Sequence, residues 1–274
     1  MEQKMIIESL QNPKVKLIVK LKNKHARDET ALFFIEGYRE SLRALEGGAL
    51  SQFLLYSPAH FLGENEYELI KQFSKKGVEV IEVSKAVFEK ISMRDRPDGI
   101  AIVANQSSKG AKELRELLNS KPNAFLCVAE SIEKPGNLGS ILRSCDGVGV
   151  DALIVCDECT DVYNPNVVRS SVGTLFTVPI FEVSSKEAIA LFKEFEVTIV
   201  TTTPRAKKEY TQIDYKGAVA IAMGTEQVGL TDLWFEDSFE KVVIPMMGRA
   251  DSLNVASATT LVLYEALRQR RHGS

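Results

Sequence analysis

Three stretches in the second half of the chain place glycine, proline and polar side chains directly after short apolar runs. That is the setting in which open α/β sheets bind ligands at the carboxyl ends of their strands. The first covers residues 130–143, ESIEKPGNLGSILR. Asn137 is expected to cap a helix beginning there, which puts Arg143 nearly two turns further along it. An arginine within the apolar run Leu138, Ile141, Leu142, Val148 needs a carboxylate, phosphate or carbonyl partner if it is buried, and a plain salt bridge would serve as well as a site. The second covers residues 222–230, AMGTEQVGL, with two glycines five apart that permit a tight turn, Glu226 able to pair with a cation, and Thr231 placed to cap a helix after the turn. Such a turn can offer backbone N–H and C=O groups to an adenine or amino-acid moiety, although many glycine turns only connect elements. The third, residues 244–258, runs from an apolar strand into a small-residue helix start. Ser252 and Asn254 contribute hydroxyl and amide groups there, either as caps or as parts of a site.

Other chemistries lack their residues. No G-x-G-x-x-G follows a strand, and neither G-x-x-x-x-G-K-[ST] nor H-E-x-x-H occurs. The four cysteines Cys127, Cys145, Cys156 and Cys159 read as reduced thiols. The C-x-x-C pair at 156–159 lacks two further ligands, with His25, His60 and His272 far off in sequence, so no metal is expected. No apolar stretch approaches the ~18 residues needed to span a bilayer, and no apolar signal segment opens the chain; the expected location is cytoplasmic.

These stretches must be positioned by a sheet. Beyond residue 122, apolar runs at 125–129, 153–155, 177–181, 198–201, 219–223 and 242–244 alternate with helical patterns at 138–146, 166–172, 186–194 and 257–271. That alternation predicts a mostly parallel α/β sheet covered on both faces. Earlier runs at 52–56, 78–83 and 99–104, with helical patterns at 40–45 and 67–73, predict a smaller α/β domain. The polar stretch 105–110 marks the division, giving residues 1–105 as one domain, 106–121 as linker and 122–274 as the other.

With 34 Lys and Arg against 37 Asp and Glu, the chain carries a net charge of −3, so any nucleic-acid contact has to be local. The first 27 residues hold seven cations (Lys4, Lys14, Lys16, Lys20, Lys22, Lys24, Arg27) against Glu2 and Glu8. This arm is either a solvated helix face or a phosphate-contacting one.

Taken together, in order and spacing, the three stretches resemble the three motifs of the SpoU/TrmH branch of the SPOUT RNA methyltransferases. The first is similar to the Asn-x-Gly-x-x-x-Arg element at Asn137, Gly139 and Arg143. The second resembles Gly-x-Glu-x-x-Gly-Leu at Gly224, Glu226, Gly229 and Leu230, and the third corresponds to 244–246 leading to 252–256. Similarity continues through 163–174 and into the first domain at 12–16 and 34–37. One departure is Lys134, where many relatives carry an acidic residue, and it bears on the choice of target nucleotide.

The resemblance implies S-adenosylmethionine-dependent methylation of a ribose 2′-hydroxyl in structured RNA, ribosomal RNA favoured over transfer RNA, by a homodimer. A catalytically silent RNA-binding factor, which would not need these motif residues, is the alternative outside enzymes. It further implies a deep trefoil knot in the second domain and a ribosomal-protein-like RNA-binding fold in the first. The implied catalytic residues are Asn137, Arg143, Glu226, Ser252 and Asn254. Cofactor contacts would come from Thr202, Met223, Gly224, Gly229, Ile244, Met246, Ser252 and Leu253, and RNA contacts from Lys14, Lys16, Lys20, Lys22, Lys24 and Arg27.

Overall fold

Short apolar runs such as FLCVA and VAIAM suit strands buried on both faces, and in the computed structural model the strands that hold them are fully buried. The structure describes residues 6–157, 160–225, 227–236 and 239–271. In chain order the elements are α1 (Pro13–Leu21), α2 (Lys24–Thr30), β1 (Leu32–Glu36), α3 (Tyr38–Glu46), β2 (Ser51–Tyr56), α4 (Glu66–Lys75), β3 (Glu79–Glu82), α5 (Lys85–Ile91) and β4 (Ile100–Asn105). There follow α6 (Ala111–Ser120), β5 (Phe125–Glu130), α7 (Pro135–Val148), β6 (Ala152–Cys156), α8 (Pro165–Ser170), β7 (Ile180–Val183), α9 (Ser185–Glu194), β8 (Thr198–Thr202), β9 (Lys208–Glu209), β10 (Val219–Met223), β11 (Glu240–Val243) and α10 (Val255–Arg271).

Two compact units result: Met1–Ser107 with Asp161–Thr177, and Ser108–Thr160 with Val178–Ser274. The first is built on a four-stranded sheet ordered β1-β4-β2-β3. β4 runs antiparallel to both β1 and β2, and β2 runs parallel to β3. Val15, Ile18 and Leu21 of α1 recur at helical spacing and pack with Val87, Phe88 and Ile91 of α5 over Phe34, Phe53, Leu55 and Val103. From residue 13 onward the basic arm forms two capped helices, with Lys4 outside the described residues: Asn12 accepts from the Lys14 amide and Asn23 from that of His25.

Segment Asp161–Thr177, which sequence places within the second domain, packs in the first unit. Asp161 takes the guanidinium of Arg27, the Tyr163 ring lies 4.5 Å from that of Phe33, and Arg43 donates to the Val172 carbonyl. In the second unit α6 stands where the linker over 106–121 is expected, because Leu114 and Leu118, one turn apart, bury into the core.

The second unit's sheet has the order β7-β6-β5-β10-β8-β11-β9, every described pairing being parallel. Side chains alternate between its faces. Leu126 and Val128 join Leu114 and Leu118 of α6 and Ala188 and Phe192 of α9, while Cys127 meets Cys145 of α7, which packs with α10. The run expected at 177–181 forms its strand later, at Ile180–Val183, after a turn of 3-10 helix at Thr174–Phe176.

Candidate active site

The register of the parallel sheet sets the site. Glu130 at the end of β5 pairs with Cys156 of β6; Ala129 pairs with Met223 of β10; Ala222 of β10 pairs with Thr201 of β8; and Thr202 pairs with Val242 of β11. The carboxyl ends of β5, β10, β8 and β11 thus lie side by side, and the loops leaving β5, β10 and β11 are the three polar stretches. Thr202 touches Met223, its hydroxyl 3.4 Å from Sδ and 3.3 Å from the Ala222 carbonyl. Ile244 and Met246 continue from β11 half-buried. These expected cofactor residues are brought to neighbouring strand ends.

After β10 the chain closes on itself. The Thr225 and Gly229 backbones exchange hydrogen bonds of 3.1 and 3.0 Å, and Val228 N donates to Thr225 Oγ1. Gly224 is buried so tightly that a Cβ there would lie within 3.0 Å of Gly229 and Leu230 backbone atoms, which makes glycine obligatory. Gly229 has φ +76°, the left-handed region that also favours glycine. Glu226 lies outside the described residues.

Helix α7 begins earlier than expected. Lys134 is its N-cap residue and Pro135 its first residue, so Asn137 sits inside the first turn and is not the cap. Its side chain instead meets the third stretch: Asn254 Nδ2 donates to Asn137 Oδ1 at 3.1 Å, while Asn254 Oδ1 accepts from the Ala256 amide at the start of α10. One asparagine thereby caps α10 and ties the third stretch to the first. Ser144 and Thr260 exchange a hydroxyl hydrogen bond of 2.6 Å further along the same helix pair.

Arg143 is exposed on α7, so a buried structural salt bridge is not its role. Ser252 and Leu253 are exposed ahead of Asn254. Cys145 is fully buried, and burial first, then the neighbouring Cys127, pushes its thiol well above the usual range, so it is no nucleophile. Among the described residues no group of three His, Cys, Asp or Glu side chains could hold a metal, and no helix is long and apolar enough to cross a membrane.

The expected RNA contacts separate in the structure. Arg27 is 1% exposed; Asp161 takes its Nε and one terminal nitrogen, and the Leu21 carbonyl takes the other. This corrects its assignment to RNA, because a guanidinium 1% exposed and bonded at all three nitrogens inside the core is out of reach of a phosphate. Lys22 is half-buried and donates to the Ser92 carbonyl, and desolvation lowers its pKa. Lys14 pairs with Glu79 and Lys24 with Asp28, whereas Lys16 and Lys20 face solvent. Arg169 of α8 is exposed as well and was missed among the cations, since only the segment's packing in the first unit places it there.

Sequence reasoning also missed Glu130. It is 1% exposed and accepts from Thr231 N (2.7 Å), Thr231 Oγ1 (2.6 Å) and Trp234 Nε1 (2.9 Å). Its partners lie about a hundred positions away, so no local signal could have announced it.

The chain is similar to known proteins over nearly its whole length. Residues 124–264 match the SpoU rRNA Methylase family, and residues 12–102 match the MRM3-like substrate binding domain. A 23S rRNA (uridine(2479)-2′-O)-methyltransferase of Streptomyces viridochromogenes is 30% identical, over 92% of this chain and 88% of that protein. The AdoMet-bound rRNA methyltransferase of Sinorhizobium meliloti superimposes with a TM-score of 0.85 at 32% identity, covering 96% of this chain and 97% of that one. The SpoU methyltransferase AviRb of Streptomyces viridochromogenes, solved with AdoMet, gives 0.83 at 28% identity, covering 96% and 100%. The chain belongs to the SpoU rRNA methylase family.

Proposed function

We propose that this protein transfers the methyl group of S-adenosylmethionine to a ribose 2′-hydroxyl of ribosomal RNA. The observation that carries the reading is the meeting of the family's three motif loops at the carboxyl ends of β5, β10 and β11, within the run β5-β10-β8-β11, with Asn137 and Asn254 bonded across the first and third. The loops suit the cofactor: the closed 224–230 turn offers backbone groups, and Thr202, Met223, Gly229, Ile244, Met246 and Leu253 offer a largely apolar wall. When bound, S-adenosylmethionine supplies an electrophilic methyl on a sulfonium sulfur.

The residues then divide the work. Exposed Arg143 clamps a phosphate of the target nucleotide with its planar fork and stabilises charge developing on the 2′-oxygen; a guanidinium offers only N–H donors, so it is not the proton acceptor. Asn137 and Asn254 hold the first and third loops in register, so that positioning carries much of the rate. Glu226 orients Arg143, and Ser252 lies beside the methionine end of the cofactor.

The first unit docks the RNA, with Lys16, Lys20 and Arg169 as its solvent-facing cations and Lys14, Lys22 and Lys24 at the margin. The polypeptide is a homodimer, its second copy covering Leu261 and Tyr264, which are 41% and 49% exposed on α10. The carboxyl-terminal half is knotted, and the enzyme works in the cytoplasm, where its ribosomal substrate is. Labelled S-adenosylmethionine offered to separated ribosomal and transfer RNA fractions tests the reading: label should enter the ribosomal fraction, and label in transfer RNA alone would contradict it.

A further inference from the structure

We propose that Glu130 is a positioning residue for the cofactor: its buried carboxylate fixes the exit of the 224–230 turn and so holds that turn ready for S-adenosylmethionine. The proposal rests on reading this turn as part of the cofactor site.

Glu130 is the last residue of β5 and lies between β10 and β6 in the sheet. Its two oxygens are divided. Oε2 accepts from the backbone N–H of Thr231, the first residue beyond the turn, at 2.7 Å. Oε1 accepts from the Thr231 hydroxyl at 2.6 Å and from the Trp234 indole at 2.9 Å. The Ser185 hydroxyl lies 3.0 Å from the same oxygen and also reaches Asp157, with one proton to offer the two carboxylates. Residue 231 is therefore gripped twice, through main chain and side chain, by one carboxyl group.

The entry of the turn is already fixed, because Met223 belongs to β10 and Gly224 is wedged against Gly229 and Leu230. Glu130 fixes the exit, so both ends of the turn refer to the same two adjacent strands. The backbone on either side of this network is held in sparsely populated conformations: Ser131, directly after Glu130, has φ +53°, and Asp157, directly after β6, has φ +60°. A side chain serving only to fill space here would be apolar, since a buried carboxylate is costly without a full set of donors.

Glu130→Gln is the informative change because it keeps the volume and removes one acceptor. Whichever way the amide turns, its NH2 group faces an N–H that can only donate: the Thr231 backbone amide in one orientation, the Trp234 indole in the other. One tie to the exit segment, at Thr231 or at Trp234, is lost and a donor–donor contact replaces it, and that ordering must then be supplied on binding. The expected cost is a rise of about tenfold in the Kd and KM for S-adenosylmethionine. The KM for RNA should not move, and kcat at saturating cofactor should stay within about twofold, because a bound cofactor restores the turn.

The experiment combines cofactor titration, steady-state kinetics and amide hydrogen exchange on the unchanged chain and its Glu130→Gln variant. In the unchanged protein, S-adenosylmethionine should slow exchange across residues 225–231; in the variant without cofactor, the same amides should exchange faster and affinity should drop. Protection by cofactor in the unchanged protein together with normal affinity in the variant would overturn the role of Glu130 while leaving the turn as a cofactor element. Lack of protection in the unchanged protein would overturn the reading of the turn itself. A variant that only lowers Tm and the active fraction, with both KM values unchanged, would show Glu130 to be structural and refute the proposal. If Glu130→Gln does not fold, Thr231→Ala tests the hydroxyl tie alone, with Thr231→Ser expected to retain normal affinity; equal affinity in both would count against the tether.

Discussion

Replacing Gly224 with alanine perturbs the turn at its tightest point. The added Cβ would lie within 3.0 Å of backbone atoms of Gly229 and Leu230, and backbone cannot swing aside as a side-chain end can. The turn must open, and the two hydrogen bonds exchanged by Thr225 and Gly229 are lost. At a net ~1 kcal/mol each that is about 2 kcal/mol, a roughly 30-fold weakening of S-adenosylmethionine binding if the closed turn is the binding conformation. Gly229→Ala is the comparison: nothing lies within 4 Å of its Cβ, so only the φ of +76° is penalised, at about 1 kcal/mol or roughly fivefold. Isothermal titration of the three proteins should rank them as unchanged, Gly229→Ala, Gly224→Ala in order of weakening affinity. Gly224→Ala that folds and binds within about threefold of the unchanged protein would refute the argument, because the structure leaves that methyl no room.

Three further outcomes are expected from the same geometry. Asn254→Ala removes both the cap of α10 and the bond to Asn137, a loss of about 2 kcal/mol and a fall in Tm of roughly 4–8 °C; Asn254→Asp keeps the cap acceptor and should fall about halfway in a thermal melt. Arg143→Lys should lose most of kcat, since an ammonium cannot form the bidentate clamp; near-full turnover would rule out the planar-fork role. Glu40 has its carboxyl held above the usual range by burial, with the Arg94 cation opposing. Its contribution to stability is complete below the unfolded-state value and is lost as pH rises through the folded one. The advantage of Glu40→Gln over the unchanged protein in urea unfolding should therefore grow between about pH 4 and pH 7, and a pH-independent difference would contradict this.

The second unit's strands were legible because a fully buried parallel strand leaves an unbroken apolar run, as at 125–129 and 219–223. Helix α10 was legible for its length, and the three site loops for their composition. What escaped depends on distant partners. Arg27 belongs to a basic run like any other until Asp161, 134 positions away, removes it from solvent. The packing of Asp161–Thr177 in the first unit is likewise invisible to a linear scan, which places the segment with its chain neighbours. Asn137 was misplaced for a local reason: Pro135 supplies the fixed φ of a first helical residue, so the helix starts two residues ahead of the asparagine. Helix α6 lay inside an expected linker because its ten residues carry too few apolar positions to outweigh the polar stretch before them.

The atom that receives the methyl group decides the chemistry. Protein-free total RNA from a host lacking the modification should be incubated with S-adenosylmethionine and either the unchanged protein or Arg143→Ala, then mapped for 2′-O-methylation. A single new ribose mark in ribosomal RNA is expected, absent with Arg143→Ala. A methyl on a base, or an undiminished ribose mark with the variant, would contradict it.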